Sequence, residues 1–159
     1  MKNFVFVDMD GTLSNDNHRH QHMLDGDWDA YHEASYLDPV VEGTMELLEA
    51  LHWDVMNICI LTSRPEKYMG TTRDWLSSKA ALLPVHSILM RPEGDWSASG
   101  ASKTSCLINF FGDIEKARLQ TAFILDDRDT VVDYLRGEGF TVFQAHRTIK
   151  EFVEGDTKR

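Results

Sequence analysis

Residues 4–12 read FVFVDMDGT. A strand-like apolar run breaks off into two aspartates, Asp8 and Asp10, one residue apart and followed at once by Gly11 and Thr12. Carboxylates this close repel one another and each prefers water, so their position where an apolar segment ends implies that something else shares the site. Four further runs have the same character: NICILT (57–62), HSILMR (86–91), TAFILD (121–126) and FTVFQA (140–145). Partly β-branched apolar runs of this length read as strands buried on both faces. Helical spacing fills the intervals at 39–54, 65–82, 102–119 and 129–139. Strand and helix alternate, so the expected fold class is α/β: a Rossmann-like, three-layer arrangement with a parallel sheet of about five strands and helices on both faces.

The chain has 159 residues, 42% of them apolar, which is enough to bury one core, and a single domain over 1–159 is expected. A formal charge of −10 argues against tight, unspecific attachment to a nucleic-acid backbone, which rests on Lys and Arg. Met1-Lys2-Asn3 leads straight into the first strand and no long apolar run follows, so neither a signal peptide nor a membrane span is expected. A cytoplasmic location follows from that reading, and Cys59 and Cys106, each within an apolar pattern, read as small buried thiols.

One segment breaks the rhythm. Residues 13–38 hold no clear strand and carry four of the seven histidines, and they are too few for a second domain, so they read as a flap or small cap after the first strand. His18, His20 and His22 alternate there, but without a Cys or fourth ligand they read as solvated side chains rather than a metal site. Trp28 and Tyr31 either stack on a base or anchor the flap to the body, with anchoring favoured. Residues 146–159 read as a short helix and a polar tail.

In an open parallel sheet, ligands bind beyond the carboxyl ends of the strands. Those ends carry Asp8-Met9-Asp10, Thr62-Ser63-Arg64, Met90-Arg91 and Asp126-Asp127-Arg128. Acids from the first and fourth strands can converge on one point, where a hard divalent cation such as magnesium offsets their charge. Such a cation beside Thr, Lys and Arg is equipment for handling phosphate. Taken singly, each residue also has a structural explanation. Asp8 and Asp10 suit a turn, Thr62-Ser63 a helix cap before Pro65, and Asp127 or Asp129 a cap for the next helix. Joint placement disfavours that explanation for Asp8, Asp10 and Asp126. Lys79, Lys103 and Lys116 all lie in helical stretches, and the residues alone leave the choice open. GASKT (100–104) lacks the Gly before Lys that a phosphate loop needs, so kinase activity is not supported.

DMDGT, an apolar strand ending in Thr, a Lys early in a helix and a strand ending in DD, in that order, resemble the haloacid dehalogenase superfamily of phosphohydrolases. Narrower similarity, carried by ILTSRP, RPEGD, the Lys eight residues after that Asp, and ILDDRDTVVDYLR, is to the 3'-phosphatase domain of bacteriophage polynucleotide kinase-phosphatase. The resemblance implies Asp8 as nucleophile and Asp10 as general acid and base. It implies Thr62 and Lys103 on the phosphate, and Mg2+ held through Asp8, Asp10, Asp126 and Asp127. Arg19, Ser63, Arg64 and Arg91 would hold the rest of the substrate. Where the family has a further acid, four residues past the Asp of the RPEGD-like element, this chain has Ser99.

The expected function is magnesium-dependent phosphomonoester hydrolysis through an aspartyl-phosphate. The expected substrate is a 3'-phosphate on a nucleic-acid end or nucleotide, with a mononucleotidase as the alternative, and the expected location is the host cytoplasm if the chain is phage-encoded. A signalling receiver domain uses similar groups, but it carries its adjacent acid pair after the first strand and its phosphoacceptor later. Here the spaced pair comes first and the adjacent pair last.

Overall fold

The computed structural model describes residues 3–52 and 56–145. The helix and tail expected over 146–159 lie outside the described residues. The first strand, β1 (Phe4–Val7), pairs in parallel with β2 (Asn57–Pro65) on one side and β4 (Thr121–Asp126) on the other. β3 (Val85–Arg91) adds to β2 and β5 (Val142–Gln144) to β4, which gives a five-stranded parallel sheet in the order β3-β2-β1-β4-β5.

Alternation along β1 divides the core. Val5 and Val7 face one layer with Ile58, Ile60, Leu48 and Trp75, while Phe6 faces the other with Cys59, Leu61, Leu107 and Val132. Helices α3 (Glu42–His52) and α4 (Met69–Lys79) cover the first face. Helices α5 (Ser99–Phe111), α6 (Ile114–Gln120) and α7 (Asp129–Gly137) cover the second. With both faces dry, an uninterrupted apolar run is what each strand requires. The two thiols are buried and free, and burial pushes that of Cys59 up to about 12.

Two boundaries differ from the sequence reading. The helix expected over 102–119 is two helices, because Gly112 takes a left-handed φ of 94° that ends α5. Asp113 then caps α6 by accepting the Lys116 N–H at 2.7 Å. β2 runs on to Pro65, so Thr62 and Ser63 lie in the strand rather than capping a helix, and a 3-10 turn at Glu66–Tyr68 leads into α4.

The 13–38 segment contains no named strand. It is built from 3-10 turns at Asn17–Arg19 and Ala34–Leu37 and two short helices, α1 (His20–Leu24) and α2 (Trp28–Glu33). Its far end is tied to the body where the Trp75 indole N–H donates to the Asp38 carbonyl at 2.8 Å. Among the described residues, no helix is long and apolar enough to cross a membrane.

Candidate active site

β1 sits between β2 and β4, where the chain reverses its direction of growth across the sheet, and crevices open at such points beyond the strand ends. Val7 is in register with Leu125, so Asp8 and Asp126 emerge level with one another on neighbouring strands. Asp8 follows the parity of Phe6 toward the face covered by α5, which carries Lys103. The Lys103 ammonium donates to Asp8 Oδ1 at 2.7 Å and to Asp126 Oδ2 at 2.5 Å, and all three side chains are buried. Of the three candidate lysines it is the one that reaches this point. Lys116 pairs with Asp113 on the surface and Lys79 is exposed.

Asp127 joins them. Carboxylate oxygens of Asp8, Asp126 and Asp127 lie within 4.8 Å of one another, and Asp127 also accepts from the Thr12 hydroxyl at 3.3 Å. Burial pushes the Asp8 pKa up to about 7; Lys103 opposes this, Asp126 and Asp127 add to it, and Arg128 opposes it. Three acids against Lys103 and Arg128 leave the cluster short of positive charge. A hard divalent cation fits: the donors are all carboxylate oxygens, already convergent, with no His or Cys among them.

The Asp10 carboxylate is not part of that cluster. After Met9 the chain turns tightly, with Gly11 at φ 86° and the Leu13 and Ser14 N–H groups donating to the Met9 carbonyl at 3.0 and 2.8 Å. This turn points Asp10 at two guanidiniums. Arg64 donates from Nε at 3.0 Å and from Nη2 at 2.5 Å, and Arg19 donates from Nη2. Burial disfavours the charge on Asp10, but Arg64 and Arg19 outweigh it and hold the carboxyl well below its usual range. Asp10 is therefore ionised and turned away from the acid cluster, whose third member is Asp127.

Both arginines are buried and anchored behind Asp10. Arg19 Nε and Nη2 donate to the two Asp38 oxygens at 2.8 and 2.6 Å, and Nη1 donates to the Tyr31 carbonyl at 3.1 Å. Arg64 Nη1 donates to Thr72 Oγ1 at 3.2 Å. Asp38 closes the arrangement by accepting from Ser14 at 2.9 Å and lying 2.9 Å from His18 Nε2. His18 thus lies against Asp38 and His20 against Asp16, and no metal-binding group among the described residues includes them or His22.

The site opens onto a cleft of about 1360 Å³, lined by Asp8 and Asp10, by Ser63, Arg64, Arg91 and Arg128, and by aromatic side chains of the flap. Thr62 is buried within β2, where its Oγ1 accepts the Arg64 N–H at 3.2 Å. Arg91 is largely committed to the loop that follows β3, donating to the Ser63, Asp95 and Ser97 carbonyls and to Ser99 Oγ. Two residues outside the sequence-derived set matter here. Arg128 donates to Ser63 Oγ at 3.2 Å and lines the cleft beside Asp8; its signal was the Arg that completes the DDR triplet. Asp38 orients both arginines from 28 residues downstream of Asp10, a distance at which spacing says nothing about pairing.

Comparison with known proteins agrees with this arrangement. Residues 2–148 match the family model described as the polynucleotide kinase PNKP phosphatase domain. A chain in the solved structure of the Pnkp1/Rnl/Hen1 RNA repair complex superposes with a TM-score of 0.74 at 23% identity, over 92% of this chain and 43% of that one. This chain thus spans less than half the length of that relative. A predicted phosphatase from Clostridium acetobutylicum gives a TM-score of 0.66 at 14% identity, covering 91% of this chain and 84% of that one. A haloacid dehalogenase-like hydrolase from Streptococcus pneumoniae gives 0.63 at 14%, covering 90% and 84%. A search of curated proteins gives no significant match. With the family model spanning nearly the whole chain and the acid cluster standing at the carboxyl ends of β1 and β4, this chain belongs to the polynucleotide kinase PNKP phosphatase domain family and is a phosphatase of haloacid dehalogenase type.

Proposed function

We propose that the chain is a magnesium-dependent phosphomonoester hydrolase that removes 3'-phosphates from nucleic-acid ends or nucleotides through an aspartyl-phosphate on Asp8. The observation that carries this reading is the buried Asp8 at the end of the central strand, held by Lys103 and facing Asp126 and Asp127 at the floor of an open cleft.

Magnesium held by Asp8, Asp126 and Asp127 would supply positive charge against the transferring phosphoryl group. An Asp8 oxygen attacks phosphorus, the bond from phosphorus to the ester oxygen breaks, and the departing alkoxide oxygen takes a proton from Asp10 to leave as the free hydroxyl. Water then attacks the acyl-phosphate, giving its proton to Asp10 and releasing inorganic phosphate. Lys103 stabilises Asp8 as an anion, and the Thr62 hydroxyl sits one residue beyond the level of Asp8 on the adjoining strand. Asp10 must hold a proton to act as an acid, yet two guanidiniums keep it ionised. Arg64 lines the cleft, and an arriving phosphate dianion competes for its donors, which lets the Asp10 pKa rise when a proton is needed.

The second reading is a mononucleotidase, favoured by the acids in the cleft lining, which suit a small substrate better than a long polyanion. Hydrolysis of a 3'-phosphorylated oligonucleotide and of 3'- and 5'-mononucleotides, each with magnesium and with chelator, separates the two. Oligonucleotide turnover that chelation abolishes is expected. Fast turnover of 5'-mononucleotides with a slow oligonucleotide reaction would replace the first reading by the second, and turnover surviving Asp8→Asn would remove the nucleophile assignment.

A further inference from the structure

The cleft is far larger than a phosphate needs. Drug-sized ligands occupy about 300 to 1,000 Å³, and this cleft holds about 1360 Å³. Away from Asp8 its walls are aromatic. The flap supplies Trp28 and the loop after β3 supplies Trp96. Trp96 is 94% exposed and Trp28 53%, so the Trp96 indole returns almost nothing in folding and about half of Trp28 is left to solvent.

Anchoring of the flap is accounted for without them. The Tyr31 hydroxyl donates to Asp16 at 2.5 Å, and the Arg19 guanidinium lies 4.1 Å from the Tyr31 ring centroid. Trp28 instead rests edge-on against Tyr31 at 5.7 Å between centroids and tilted against His32 at 6.3 Å; His32 in turn packs on Tyr68 at 4.8 Å. These rings back the indole and fix its orientation. His32, itself in the cleft wall and more than nine-tenths buried, has an Nδ1 with no hydrogen-bond partner among the described residues. That atom is itself shielded from solvent, so His32 serves the cleft as a packed wall behind Trp28 rather than as a polar contact.

We infer that Trp28 and Trp96 form a base-stacking subsite for the last nucleotides of a single-stranded 3'-phosphorylated end. The inference rests on the function proposed above and goes beyond it by naming the strand form and the side chains that grip it. Charge makes the same choice. Lys67 is paired with Asp29 at 2.7 Å, Arg91 is committed to the loop after β3, and the chain carries −10 overall, so backbone phosphates beyond the one at Asp8 meet few free cations. Stacking asks for no charge and suits any base, but it needs faces that a duplex keeps covered.

The test compares kcat/KM on a 3'-phosphorylated single-stranded oligonucleotide with kcat/KM on p-nitrophenyl phosphate, as a ratio. Trp28→Ala and Trp96→Ala should each lower that ratio at least about fivefold, mainly through KM on the oligonucleotide, with Trp96→Phe retaining most of it. Leu82→Ala, which removes an exposed apolar side chain outside the cleft, should leave the ratio alone. A blunt duplex should be the poorer substrate. A ratio within twofold of wild type in both alanine variants, or equal use of the duplex, overturns the inference. If the wild-type protein does not hydrolyse 3'-phosphorylated ends, the functional reading fails, and tryptophan quenching by the same oligonucleotide decides the subsite. Saturable quenching lost in Trp28→Ala and Trp96→Ala upholds it, and no quenching overturns it.

Discussion

Lys103 pairs with two buried carboxylates at once, and Lys103→Met removes that charge while nearly keeping the volume. Asp8 and Asp126 oxygens lie within 4.8 Å of each other. At that separation two ionised carboxylates repel by about 3.5 kcal/mol for an effective dielectric constant of about 20. Breaking a buried ion pair from one side costs about 3 to 5 kcal/mol, so the two routes agree. For a chain of this size that loss corresponds to a melting temperature lower by roughly 6 to 20 °C.

The assay is thermal unfolding of both proteins in chelator and in magnesium, at pH 8 and pH 5. In chelator at pH 8 the variant should melt well below wild type. Magnesium should raise the variant more than wild type, since the ion supplies charge that the lysine no longer does. The sign of the pH effect follows from proton uptake. Burial already raises the Asp8 pKa and Lys103 opposes that rise, so without the ammonium Asp8 binds its proton in the folded variant at still higher pH, where unfolded carboxyls, near 3.9, bind none. The variant therefore gains stability relative to wild type as pH falls. A variant melting within about 2 °C of wild type in chelator at pH 8 would refute the claim that Lys103 compensates the acid cluster.

The other expectations concern different parts of the fold. In Gly100→Ala the new Cβ would lie 2.6 Å from Tyr134 Cγ, so α5 and α7 must part. Urea unfolding should show a loss of about 1 to 3 kcal/mol. Asp38→Asn removes the carboxylate facing Arg19 and should cost about 3 to 5 kcal/mol, read from the same curves. His32 is held neutral, its pKa lowered to about 4 by burial first and by Arg64 and Arg19 next, with Asp10 and Asp29 opposing. An unfolded histidine takes a proton near pH 6.5, so between those values the unfolded state binds more protons and stability falls as pH drops. His32→Gln should remove this contribution, about 3 kcal/mol between pH 7 and pH 4, read as the difference between wild-type and variant unfolding free energies from urea curves at the two pH values.

The sheet was legible because each strand is dry on both faces and so written as an unbroken apolar run, NICILT and TAFILD most clearly. The acids were legible because a parallel sheet delivers its strand ends to one rim, which makes Asp8 and Asp126 neighbours across more than a hundred residues of chain. Periodicity ran through Gly112 because Phe111-Gly112-Asp113 carries its stop and start signals in two residues, fewer than a helical turn. What the sequence could not display was how the arginines spend their donors. A basic side chain eleven residues after Asp8 reads as a substrate contact, but whether Arg19 faces a ligand or another side chain depends on Asp38, which the flap brings in from elsewhere.

That pairing bears on why the family's two aspartates behave differently when only Met9 separates them. Asp8 keeps the strand's direction, ends among acids and one ammonium, and is driven toward the protonated form by burial. Asp10 lies past the point where the backbone turns at Gly11, ends between two guanidiniums, and is driven the other way. A nucleophile needs its charge just when a phosphate and a cation arrive, and those are the conditions that would restore the charge on Asp8. A proton carrier needs to lose charge at the same moment, and a phosphate that engages Arg64 weakens the clamp on Asp10. One event can therefore move the two carboxyls in opposite directions, provided the arginines are held firmly enough to be shared rather than lost. Asp38 meets that condition: buried, bonded to Arg19 through both oxygens and 3.5 Å from Arg64, it keeps the guanidiniums in place whichever anion they serve.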